Sequence, residues 1–87
     1  MLGDVTIKNV KDALGALTRA LREREGLTQE QLADKLAISR LTIQNLERGK
    51  NVTIETILKV LQHFELLRSF NDFINTEVDN NSQRSLY

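Results

Sequence analysis

Between Leu27 and Lys50 the chain reads LTQEQLADKLAISRLTIQNLERGK, and its apolar residues follow the register of two short helices crossing at a tight turn. Counted from Gln29, positions four, eight, ten, fifteen and eighteen are Leu32, Leu36, Ile38, Ile43 and Leu46. Position five is Ala33, small enough to let the first helix approach the second. Thr28 with Gln31 makes a capping-box pattern, and Ser39 is placed to cap the next helix. The first helix ends at Leu36, and Gly49 stops the second after Arg48. Each feature is common alone; six apolar positions and two caps in one register are not.

The flanks extend this reading to five helices. Val10, Leu14, Leu17 and Leu21 recur at helical spacing and predict a first helix from about Asn9 to Glu25. Asn9 is the expected N-cap, with Asp12 three residues on, and Gly26 sits where a C-terminal cap belongs. Thr53 caps a fourth helix whose Ile54, Ile57, Leu58, Leu61 and Phe64 make one broad apolar face. A last helix is expected near Leu66 to Thr76. Val5, Thr6, Ile7 and Lys8 alternate weakly, too briefly for a sheet, and read as an arm or a helix start. The polar residues 77–87 read as a flexible tail. Its closing Leu86 and Tyr87 leave open a segment that folds on a partner protein. The domain is therefore 1–76, with its paired-helix motif at 29–48.

Residues 27–50 resemble the helix-turn-helix of Cro/C1-type repressors, the XRE family, and the resemblance runs from about Leu14 to Phe64. It implies an all-α, five-helix, lambda-repressor-like domain that binds double-stranded DNA. One departure stands out: the turn position that usually carries glycine is Ala37. Either Ala37 is left-handed, at about 1 kcal/mol, or the turn is remodelled.

On the third helix Ile43 and Leu46 face the core. Stepping about 100° per residue then places Leu41, Gln44, Asn45 and Arg48 on the opposite face, with Arg40 and Thr42 at its flanks. An ordinary solvated face does not need an exposed leucine such as Leu41, and these side chains suit the major groove. Arg40 can bond guanine bidentately, Gln44 or Asn45 can read adenine, and Leu41 or Thr42 can touch a thymine methyl. Ser39 belongs with them at the helix N-terminus, the end that normally reaches base edges.

The resemblance implies further roles. Gln29, at the start of the second helix, should contact backbone phosphate, as should Arg48 and the loop residues Lys50, Asn51 and Thr53. Arg22 and Glu47 should form a partly buried ion pair that steers Arg22 toward phosphate.

Composition permits this function without demanding it. The 87 residues carry 12 basic and 12 acidic groups. Residues 19–50 hold seven basic against five acidic, and residues 51–87 three against five. The basic excess thus falls on the motif, although an excess of two is weak evidence. With no cysteine there is no disulfide or thiolate metal site, which suits a reducing cytosol. No apolar run approaches the ~20 residues of a membrane span, and the N-terminus lacks a signal peptide's apolar core. His63, the sole histidine, reads as a surface residue of the fourth helix and not a metal ligand. No nucleophile–base pair, phosphate-binding glycine loop or carboxylate pair suggests an enzyme, and neither metal nor cofactor is implied.

Leu66, Leu67, Phe70, Phe73 and Ile74 form a stripe wider than the last helix needs against a core closed by four. Core packing would use some of it; the functional reading is a homodimer interface. Paired recognition helices would span half-sites about 34 Å apart in a palindromic operator. The expected protein is a cytoplasmic transcription regulator of bacterial or phage origin, acting as a repressor. Small family members include restriction–modification controllers, phage repressors and Hip-type antitoxins. The antitoxin alternative adds a protein toxin as partner.

Overall fold

Four of the five helices begin in the same way. In the computed structural model, which describes residues 3–85 and side-chain environments as far as residue 82, the order is α1 (Ile7–Arg24), α2 (Gln29–Leu36), α3 (Arg40–Glu47), α4 (Ile54–His63) and α5 (Leu67–Ser85). A threonine or serine precedes each of the first four, and its hydroxyl accepts the N–H three residues on. The caps are Thr6, Thr28, Ser39 and Thr53, each contributing about 1 kcal/mol.

Three of those caps were legible; the first was misplaced. Thr6, not Asn9, caps α1: Asn9 N–H donates to Thr6 Oγ1 at 3.0 Å and Asn9 Oδ1 accepts from Thr6 N–H at 3.1 Å. Asn9 is thus the return partner of a capping box, and the helix gains a turn. Of Val5–Lys8, Ile7 and Lys8 accordingly open the helix, and Val5 and Thr6 precede it, Thr6 in extended conformation. Asp12 pairs with Lys8 at 3.0 Å instead of serving the cap.

The ends share a pattern too. At Gly26, Ala37, Gly49 and Glu65 the backbone turns left-handed, and the next residue's N–H reaches back five positions. Those bonds are Leu27 to Arg22, Ile38 to Ala33, Lys50 to Asn45 and Leu66 to Leu61. Each closes a helix with a Schellman-type cap. Ala37, at φ 56°, settles the turn question: it keeps the glycine-like geometry and bears the strain. Glu65, at φ 61°, does likewise, and nothing in its residue type announced it.

The core is the cluster Leu32, Ala33, Leu36, Ile43, Leu46, Val60 and Phe64, with Leu14, Leu21, Leu27, Ile38 and Val52 packed around it. All six motif positions therefore lie in or against the core. α3 is gripped between α1 and α2, and α5 packs on α4. Three apolar expectations need correction. Val10 and Leu17 of α1 remain partly exposed, and Gly15 and Thr18 take the buried positions. On α4, Ile54 stays outside, 68% exposed, and Val60 and Thr56 are buried in its place. Thr18 satisfies its buried hydroxyl on the Leu14 carbonyl at 2.8 Å.

The last correction concerns residues 77–85, which continue α5 instead of forming an unstructured tail. Extending a nucleated helix costs little per residue, so a polar sequence can follow an apolar start. Leu86 and Tyr87 lie outside the described residues.

Candidate nucleic-acid interface

α3 stands at the surface because everything behind it is locked. Ile43 and Leu46 are buried, whereas Arg40 and Leu41 are exposed, Leu41 by 61%. An exposed leucine on a helix whose opposite face is fully buried has no packing role in this chain. Gln44, Asn45 and Thr42 are half-buried, and Arg48 is exposed. Ser39 Oγ and Thr42 Oγ1 lie 2.8 Å apart, and Ser39 Oγ accepts Thr42 N–H at 3.1 Å. Whichever hydroxyl donates to the other, one proton remains to point outward.

The lock is a buried ion pair. Arg22 Nε donates to Glu47 Oε2 at 2.6 Å, and Nη2 donates to Oε1 at 2.9 Å. The side chains are only 11% and 5% exposed. Arg22 Nη1 donates to the Leu27 carbonyl at 2.8 Å, tying in the α1–α2 connection. The Glu47 carboxylate raises Arg22 above its ordinary pKa, outweighing the opposing effect of burial. Gln29 joins the pair, donating from Nε2 to Glu47 Oε1 at 3.0 Å. One amide hydrogen of Gln29 is thereby used internally and one is left over. Arg22, Thr28, Gln29, Glu30 and Arg40 line an open concavity of about 470 Å³ between the starts of α2 and α3.

The expected phosphate residues beyond α3 are less uniform. Lys50 and Asn51 are exposed in the loop, but Thr53 is committed to capping, with Oγ1 accepting Thr56 N–H at 3.2 Å. Asn51 Oδ1 accepts from Lys11 of α1, a contact across 40 residues that no local pattern could reveal. Gly15 was also missed. A Cβ there would lie 2.5 Å from the Leu46 carbonyl oxygen and 2.8 Å from that of Glu47, so α1 reaches α3 only because this residue is glycine. The available signal was a glycine inside a helical pattern.

His63 is half-buried instead of free at the surface, with Nε2 3.2 Å from Glu25 Oε1 and its ring edge-on to Phe64. Among the described residues no three metal-ligating side chains converge, and no helix is long and apolar enough to cross a membrane.

Two short helices crossing at a left-handed turn, with the second exposed and braced from behind, define a helix-turn-helix DNA-binding regulator. The chain belongs to the helix-turn-helix family, whose sequence pattern matches residues 19–67. Two relatives are both antitoxin HipB of Escherichia coli. The protein of strain K12 is 35% identical over 69 residues, covering 78% of each chain. That of strain O6:H1 (CFT073) is 33% identical over 69 residues, covering 78% of this chain and 73% of its own.

Proposed function

We propose that the chain is a sequence-specific transcriptional repressor that binds a palindromic operator as a homodimer. The observation that carries this reading is the exposed face of α3, Arg40 and Leu41 foremost, on a helix held from behind by Arg22, Glu47 and Gln29. A rigid helix presents base-reading side chains at one register, which discrimination between base pairs requires. Arg40, Leu41, Thr42, Gln44, Asn45 and Ser39 read base edges. Gln29, Arg22, Arg48, Lys50 and Asn51 serve phosphate, whereas the Thr53 hydroxyl is occupied as the cap of α4.

Dimerisation is supported by α5. Phe73 is 60% exposed, and Ile74 and Val78 are also uncovered. Leu67, Phe70 and Ile74 border an apolar groove of about 500 Å³ with Ile54 and Leu58. A second copy would cover that surface and set the spacing of two recognition helices. Selection from random duplex DNA tests the reading. A palindrome with half-sites about one turn apart supports it, and no enrichment of any sequence refutes it.

The two antitoxin relatives favour a second role, neutralisation of a partner toxin. The test is growth: the neighbouring gene product should arrest cells when expressed alone, and co-expression of this chain should relieve the arrest. Arrest that persists on co-expression removes the antitoxin role.

A further inference from the structure

A polar concavity of about 250 Å³, lined by Lys35, Leu36, Lys59, Gln62 and His63, opens where α2 meets α4. Lys35 and Leu36 close α2, and the other three belong to the second half of α4. No lining residue comes from α3 or from the turn and loop that flank it. The DNA-reading surface therefore makes no use of this concavity.

Every polar side chain in the lining can donate a hydrogen bond. Lys35 is exposed and forms no ion pair among the described residues. Lys59 is only 34% exposed, so its stem is packed while its ammonium reaches water. Its carboxylate partner, Glu55, stands at 3.5 Å and is 77% exposed. A pair that open to solvent is weak and exchanges readily. Gln62 and His63 follow Lys59 by three and four residues, on the same side of α4. His63 Nε2 is held 3.2 Å from Glu25 Oε1. A lysine in the last turn of α2 complements that helix's negative end, which accounts for Lys35 alone. It explains neither Lys59 in the middle of α4 nor the donor-only lining.

The donors narrow the ligand. Two ammonium groups and a primary amide, from two helices, offer three donors to one oxyanion. A phosphoryl group presents three terminal oxygens, where a carboxylate presents two. Lysine binds phosphate as a point charge and needs no forked geometry.

We infer that Lys35, Lys59 and Gln62 form a binding site for the phosphoryl group of a small phosphorylated ligand. The site is separate from the DNA-reading face and does not depend on it.

The test is titration of the isotope-labelled chain with sodium pyrophosphate at constant ionic strength, followed by backbone amide resonances. Saturable shifts should centre on Lys35, Leu36, Gln62 and His63, and inorganic phosphate should move the same signals. Lys35→Gln and Lys59→Gln should each weaken the fitted affinity by about tenfold or more, the loss of one charge-assisted bond. Arg40→Ala removes an equal charge from α3 and should leave it unchanged. Citrate, of similar charge but with carboxylates alone, should bind at least about tenfold more weakly. Shifts centred on Gln29 and Arg40, or an equal loss in Arg40→Ala, overturn the site as general attraction between anion and cation. Citrate binding as tightly as pyrophosphate overturns the phosphoryl ligand, and no saturable shift overturns the site outright. Lys35 is exposed, so Lys35→Gln decides the matter even where Lys59→Gln lowers the melting temperature.

Discussion

Replacing Glu47 with alanine should be among the most damaging single changes in this chain. The Arg22 guanidinium, 11% exposed, would lose both charge-assisted bonds and keep only the Leu27 carbonyl. Removing one partner of a buried ion pair costs about 3–5 kcal/mol, because the other charge is left desolvated without a counter-charge. Gln29 can soften the loss by turning its amide oxygen toward Arg22, which favours a figure near 3 kcal/mol. A chain of this length has about 4–13 kcal/mol of stability, at about 0.05–0.15 kcal/mol per residue. The melting temperature should therefore fall by at least about 12 °C, read by circular dichroism. The paired change Arg22→Met with Glu47→Leu removes both charges and should recover most of the loss. Because Glu47 raises Arg22 above its ordinary pKa, the pair's contribution is fully present below that ordinary value and is lost only as pH climbs through the folded one. The Arg22-dependent difference should thus be the same at neutral and mildly alkaline pH. A fall below about 4 °C, or a double variant as unstable as the single one, would refute the stranded-charge argument.

Three other substitutions test separate links. Gly15→Ala should lower stability by about 1–3 kcal/mol despite alanine's better helix propensity, because two carbonyl oxygens block the new Cβ; an unchanged or raised melting temperature would mean that α1 can shift freely. Ala37→Gly relieves left-handed strain of about 1–2 kcal/mol and returns about 0.4–1 kcal/mol as unfolded-chain entropy, so thermal melting should occur a few degrees higher. Arg40→Ala should cost about 1–3 kcal/mol on the selected operator and relax preference at one base position; intact affinity and preference in a binding titration would move the reading face elsewhere.

The sequence by itself determined the parts whose partners lie within about four residues. Thr28, Ser39 and Thr53 find their N–H groups one turn ahead, and Gly26 and Gly49 turn the backbone without help, so helix ends could be read directly. The register Leu32, Ala33, Leu36, Ile38, Ile43 and Leu46 was equally legible, since helical period and a steep crossing dictate it. The Arg22–Glu47 pair came from family resemblance, because spacing alone cannot bring together residues 25 positions apart. The tertiary structure decided the rest. It chose Thr6 over Asn9 as the first cap and set Glu65 left-handed where α4 must hand over to α5. It turned Ile54 outward, although its apolarity predicted burial. It required glycine at residue 15 and joined Lys11 to Asn51 and Gln29 to Glu47. These contacts depend on how far apart two helices settle and at what angle, which the whole core fixes at once and no single stretch of sequence encodes.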